Sequence, residues 1–503
     1  MIEVKEMTIA QAQDGIKSGK FTARELAATF LDRIASLDGR INSTMALSST
    51  ALEEATVLDE YFQKFHEFKG PLHGIPILVK DQADTKGMVT TYGSAAARHN
   101  IPAEDAFVVT KLREAGAVVL GKTTTAEWAC VWFSANSATN YEFTKNPYNL
   151  NHDVGASSGG SGAAISANFA ILAVGEDTGG SIRVPASFCS IVGLRPTPGL
   201  ISRTGFCPLI KDQDTPGPMA RTVTDCALML DCMVGFDKND EYTGVAVTSQ
   251  ALGLPKGGSY AAHLQEGPTK IRQARIGILR QKLGSDLDPY GKAVNEVMAA
   301  AIEKLSNEGT TFIDVHLENL DFYMTYPLTY EQRSRSDINK FLATKKNLPS
   351  DIATLFPKNS HPDKPYLNFL CQVAHGPEDP NEDPTYLDRI LKRLEFKRKI
   401  ECVIGDLSLD ALALPDVRVP PPRLEDATNG RFMINETEEA FPTNTFLASV
   451  TRHPAISVPA GFTQDGLPVG MELIALEYHE QHLLELAYGV ETILDGRKPP
   501  SNL

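Results

Sequence analysis

GIPILVKDQ (residues 74–82), AEDAFVVTKLREAG (103–116) and AVVLGK (117–122) together decide the fold. In the first, Ile75, Ile77, Leu78 and Val79 form a short apolar run after Gly74, ended by Lys80 and Asp81. A run of that length, bounded by glycine and charge, reads as a buried strand with charges at its C-terminal end. In the second, Val108, Leu112 and Ala115 share one helical face and Gly116 stands where a helix stops. The third reads as a second strand. Strand, helix, strand predicts an α/β architecture.

Working outward, Thr8 with Gln11 and Thr22 with Glu25 have capping-box spacing. Leu26, Phe30, Ile34 and Leu37 then recur at helical spacing. Residues 155–195 are rich in Gly and Ser, yet the apolar pieces GAAISANFA (162–170, helix) and ILAV (171–174, strand) interrupt them. A flexible linker would not carry such inserts. Residues 221–234 predict an amphipathic helix, 240–410 a more polar and mostly helical region, and 392–407 one helix within it. PDVRVPPPRLEDATNG (415–430) predicts a long irregular segment, because consecutive prolines cannot sit inside a helix. The pieces 456–462 and 466–474 precede a closing helix. A length of 503 residues would suit roughly three average domains. No repeat and no clean linker divides the chain, so one large domain is expected.

The formal net charge of −15 (48 basic, 63 acidic) comes without a basic run, which argues against nucleic acid and anionic membranes as partners. No stretch reaches the 18 or so apolar residues of a membrane span, and the first 20 residues lack a signal-peptide core. Seven widely spaced cysteines without a CxxC pair read as free thiols in a reducing compartment. These features predict a soluble cytoplasmic enzyme.

Two motifs are refused. GAVVLGKT (116–123) matches the P-loop pattern of an NTPase, but its middle is apolar and strand-like where a phosphate cradle needs exposed N–H groups. HEQH (479–482) spaces its histidines by three, unlike HExxH.

GASSGGSGAA (155–164) and DTGGSIRVPASFC (177–189) carry the chemistry. Gly179 and Gly180 directly before Ser181 allow consecutive N–H groups to converge on one point, as an oxyanion hole requires. A serine beside such donors still needs a base. His73, His99 and His152 are candidates, and so is Lys80, if burial strips its charge near neutral pH.

Taken together, these stretches resemble the amidase signature family, serine hydrolases with a Ser–cis-Ser–Lys triad. The resemblance runs through GIPILVKDQ, GASSGGSGAA, residues 177–199, GPMARTVTD (217–225) and the terminal VPAGF and GLPVG pieces, and is weakest over 240–450. It implies a single α/β/α domain with a mixed, mostly parallel central sheet, a signature core over about 70–235 and a variable substrate region over about 240–450. It implies Lys80 as base, Ser157 as bridging serine and Ser181 as nucleophile, 24 residues after Ser157. It further implies oxyanion donors from Thr178, Gly179, Gly180 and Ser181, with Ser158, Asp177 and Arg183 in support.

If the family's cis bond is kept, it is Ala156–Ser157. Ala156 and Glu176 stand where many members have smaller residues. No metal or organic cofactor is implied, and the expected partner is a small-molecule amide, with a homodimer left open. The expected activity is hydrolysis of carboxylic amides through a seryl acyl-enzyme. Esters or carbamates are the alternative substrates, and the amidase subunit of a tRNA-dependent amidotransferase is the alternative assembly. A non-catalytic binding member is disfavoured by the intact Lys80, Ser157 and Ser181. Tyr323, Tyr326, Tyr330 and Phe441 are candidate pocket walls. Cys130, Cys189 and Cys207 read as buried thiols, not as a nitrilase-like site.

Overall fold

The computed structural model describes every residue except 1, 359, 430, 431, 435, 436, 440 and 502, and gives only the backbone of 432–434 and 437–439. The quoted strand is β2 (Pro76–Lys80), every residue of it buried. It follows β1 (Thr44–Leu47) and precedes β3 (Val118–Thr123), and the two capping boxes form as expected.

The sheet continues with β4 (Leu172–Asp177), β5 (Val192–Arg195), β6 (Thr215–Ala220), β7 (Arg275–Ile278), β8 (Thr311–Asp314), β9 (Ala411–Pro415), β10 (Ala455–Phe462) and β11 (Pro468–Ile474). Among the described residues these eleven strands form one mixed sheet, ordered β1-β3-β2-β4-β6-β5-β10-β11-β9-β7-β8. Parallel pairing holds β3-β2-β4 on one side and β9-β7-β8 on the other. Antiparallel pairs join them through β6, β5, β10 and β11.

The chain is therefore a single α/β domain. The region beyond 240 is no separate lobe, because β7, β8 and β9 extend the same sheet. Residues 240–410 are mostly helical as expected, with β7 and β8 as the short exceptions. Four-residue strands such as RIGI are too short to show a period, and only pairing to neighbours reveals them. Within 415–430, Pro415 ends β9 and Pro420 to Pro422 are irregular as expected, but Leu424–Asn429 is a short helix. Residue 430 lies outside the described residues.

Burial explains the other elements. The 103–116 reading becomes α1 (Phe107–Glu114), with Val108, Val109 and Leu112 buried. The P-loop look-alike is core: β3 is wholly buried, and Lys122 Nζ donates to the Ala83 carbonyl and to Thr85 Oγ1. Cys130, Cys189 and Cys207 are buried, and desolvation pushes their thiols up, away from the thiolate a nucleophile needs. Among the described residues no helix is long and apolar enough to cross a membrane.

Two placements matter for the site. β2 and β4 lie side by side and parallel, with Val79 opposite Val174, so Lys80 and Glu176 emerge at the same end of the sheet. The helix α2 (Gly159–Ser166) packs against both strands and brings Ser157 and Ser158 over that end. In α/β sheets, sites gather at the carboxyl ends of parallel strands.

Candidate active site

Lys80, Ser157 and Ser181 come together from three separate segments. Lys80 is fully buried, and its Nζ donates to Ser157 Oγ at 2.7 Å. It also reaches the Glu176 carbonyl at 3.2 Å and Glu176 Oε2 at 3.3 Å. Burial is the largest influence on Lys80 and lowers its pKa; an ionised Glu176 would push the other way. Ser157 N–H in turn donates to Ser181 Oγ at 3.4 Å. Ser181 is 6% exposed while Lys80 and Ser157 are sealed, so Ser181 is the member a substrate can reach.

The expected cis bond does not form: among the described residues the cis peptide is Leu254–Pro255. Ala156 instead takes a left-handed φ of 50° directly before Ser157. An L-residue in that region costs roughly 1–2 kcal/mol. The Ser158 hydroxyl donates to the Glu176 carbonyl at 3.0 Å, and its N–H donates to the Ser181 carbonyl at 3.2 Å.

The loop before Ser181 is shaped by Asp177. Its carboxylate accepts the N–H of Gly180 at 2.8 Å and of Ile182 at 3.1 Å, and bonds to Arg183 and Arg195. Burial would raise its pKa, but the two guanidiniums hold it well below the usual carboxylate range. Of the four expected donors, Gly180 therefore spends its N–H on Asp177. Among the described residues, the N–H groups of Thr178, Gly179 and Ser181 have no acceptor.

The two glycines are required by space. A Cβ on Gly179 would lie 2.1 Å from Tyr330 Oη, and one on Gly180, whose φ is +131°, would lie 2.0 Å from Thr445 Oγ1.

Arg183 lies in α3 (Arg183–Phe188). It also donates to the Thr445 carbonyl, Ser449 Oγ and Glu472. Removing one partner of a buried ion pair leaves the other charge uncompensated, which costs about 3–5 kcal/mol. Arg183→Leu is expected to lose that much in urea unfolding. A loss below about 1 kcal/mol, the scale of a surface pair, would show that the cluster does not hold the loop.

Several contacts carried no sequence signal. Thr445 Oγ1 donates to the Gly179 carbonyl at 2.6 Å across 266 residues. Gln213 Nε2 donates to the Thr178 carbonyl at 2.7 Å, and Thr178 Oγ1 donates to Asp214 Oδ1 at 2.6 Å. Of the candidate walls, Tyr330 stands against the serine loop, next to Phe369 and Phe446. Phe441 stacks on Trp132 at 4.6 Å, and Trp132 meets Phe446 edge-on. Tyr323 and Tyr326 do not belong with them. Tyr323 packs on Phe396 and bonds to Glu395, and Tyr326 packs on Phe322 and bonds to Asp388. The short helix Leu320–Thr325, with Tyr326 at its C-terminal cap, lies on the long helix Tyr386–Asp406, and Tyr323 belongs to a different cluster. Among the described residues His73, His99 and His152 make no hydrogen bond to either serine, whereas Lys80 bonds to Ser157.

Known proteins resemble the chain over nearly its whole length. The family model described as Amidase matches residues 25–484. The native peptide amidase of Stenotrophomonas maltophilia superposes with a TM-score of 0.83 at 30% identity, over 99% of both chains. Relatives named as one subunit of glutamyl-tRNA(Gln) amidotransferase are similar over most of the length. The one from Alkaliphilus metalliredigens is 32% identical over 97% of both chains, and the one from Pseudomonas savastanoi 34% over 97% of this chain and 98% of its own. On the strength of a match spanning more than nine-tenths of its length, the chain belongs to the Amidase family.

Proposed function

We propose that the chain hydrolyses carboxylic amides through an acyl-enzyme on Ser181. The observation that carries this reading is the fully buried Lys80, its amine bonded to Ser157 Oγ, with Ser157 N–H on Ser181 Oγ. Neutral Lys80 takes the Ser157 hydroxyl proton while Ser157 takes that of Ser181, after a turn of the Ser181 hydroxyl toward Ser157. Ser181 Oγ then bonds to the amide carbon, and the oxyanion meets the open N–H groups of Thr178, Gly179 and Ser181. The proton returns through Ser157 to the nitrogen, the C–N bond breaks, and amine or ammonia leaves. Water, deprotonated along the same path, attacks the ester. The C–O bond to Ser181 breaks, and acid and free serine result. Returning a proton to the leaving group matters more for an amide than for an ester. The aromatic wall of Trp132, Tyr330, Phe441 and Phe446 suits an apolar or aryl substrate, and the free cysteines suit a cytoplasmic setting.

A second reading is that the chain serves as the amidase component of a tRNA-dependent amidotransferase, with partner chains. The names of its relatives favour it over a free-standing amidase. The same bond is cleaved in both cases, and released ammonia would pass to a partner. The test is labelling with a serine-directed fluorophosphonate, followed by turnover of anilides, aliphatic amides, glutamine, esters and carbamates. An adduct on Ser181 with amide turnover by the chain alone is the expected result. An adduct without turnover, restored by partner chains, favours the second reading. No adduct on Ser181 of folded protein overturns both.

A further inference from the structure

The Lys80 amine faces a carboxyl chain that the acyl-transfer steps do not use. Glu176 Oε2 lies 3.3 Å from Lys80 Nζ, and Glu176 Oε1 lies 3.2 Å from Thr178 Oγ1. Thr178 Oγ1 in turn lies 2.6 Å from Asp214 Oδ1. A hydroxyl has one hydrogen to give. The shorter bond assigns that hydrogen to Asp214, which also accepts N–H groups from Leu209 at 2.8 Å and Ile210 at 3.1 Å. With its hydrogen spent on Asp214, the Thr178 oxygen offers Glu176 Oε1 only a lone pair, a contact that a proton on Glu176 makes favourable.

The other groups facing the chain agree. Asp177 adds negative charge beside Glu176, although Arg183 and Arg195 pair with it. Arg195, Cys207 and Tyr330 stand near, and burial keeps the thiol and the phenol neutral. Desolvation raises Glu176 and Asp214 alike, which favours a proton held between them. Beyond them a cleft of about 430 Å³ opens, lined by Glu176, Asp214, Gln82, Phe206, Cys207 and Phe341 among others.

We propose that Glu176 is a positioning residue that holds a proton, keeps Lys80 uncharged, and links it through Thr178 and Asp214 to this cleft. The inference rests on the role of Lys80 proposed above. A proton on Lys80 Nζ passes to Glu176 Oε2 as the Oε1 proton passes to Thr178 Oγ1 and the Thr178 hydrogen to Asp214. Glu176 takes one proton on Oε2 and gives one from Oε1, and the Thr178 hydroxyl takes one and gives one. Lys80 ends as the amine and Asp214 as the neutral acid, next to solvent in the cleft.

The test is the pH dependence of the rate at which a fluorophosphonate labels Ser181, which needs no natural substrate. Its acid limb reports the protonation of Lys80. Glu176→Gln keeps the neutral shape, so the limb stays where the wild type has it. An ionised Glu176 would have held Lys80 up; the same variant would then drag the limb down by about one unit or more, and that result overturns the proposal. Asp214→Asn removes the anion and frees the Thr178 hydrogen, so Glu176 ionises and the limb rises by about one unit. The double variant returns to the wild-type limb. An unmoved limb in folded Asp214→Asn also overturns the proposal, because a purely structural role moves rates and leaves limbs in place. Should Asp214→Asn not fold, Glu176→Gln still overturns the proposal if its limb falls, and an unmoved limb there rules out an ionised Glu176. Label on Ser181 with a limb that departs from this pattern defeats this inference only; no label on wild-type Ser181 defeats the nucleophile as well.

Discussion

Ser181→Ala is expected to lower kcat for a good amide by about a million-fold, the scale on which a hydrolase loses its nucleophile, with KM little changed. The side chain makes one weak contact, accepting Ser157 N–H at 3.4 Å. Its loss leaves that buried donor unpaired, at about 1 kcal/mol, so thermal unfolding should move by a few degrees and no more. The Asp177 network that shapes the loop does not involve the Ser181 hydroxyl and should persist. Turnover of an anilide by purified protein, with the adduct located by mass spectrometry, checks this. Residual activity above about a hundredth of the wild type would exceed what binding and oxyanion donors alone supply. It would place the nucleophile elsewhere.

Lys80→Ala ranks second. It is expected to cost amide turnover about 10²–10⁴-fold, the worth of a positioned acid–base group. The matching ester should lose less, because an alkoxide leaves with less help than an amine. The sign with pH follows from burial. Desolvation lowers the lysine pKa, so the wild type gains activity as pH rises through the lowered value and the amine forms. The variant has no amine to uncover, and its profile should flatten. Lys80→Arg should not rescue it, since a guanidinium does not shed its proton in this range. Amide turnover unchanged at neutral pH would remove Lys80 from the mechanism.

These two expectations draw on residues that stood in plain view in the chain. Lys80 ends an apolar run and Ser181 follows paired glycines, and both patterns are local. The contacts that give them meaning are not. Lys80 meets Ser157 across 77 residues, and the loop carbonyl of Gly179 meets Thr445 across 266. Gly180 illustrates the limit. Its place in DTGGS marks it as a donor, yet its N–H turns inward to Asp177, because a buried carboxylate must be saturated. Ala156 illustrates another: a left-handed residue stands in place of the expected cis bond. Tyr323 and Tyr330 looked alike as aromatics seven positions apart, and helix packing sends one under Phe396 and the other to the serine loop.

The α/β class, the buried strand with its terminal lysine, the capped helices and the serine-glycine loops were set by short-range periodicity and turn chemistry, which one segment expresses on its own. Sheet order, the short strands at 275–278 and 311–314, the pairing of Glu176 with Lys80 and the choice of open N–H groups were decided by the folded molecule. The physical reason is that burial makes each charge and each donor find its partner, and that partner is fixed by what the whole chain brings within about 3 Å, not by which residue comes next.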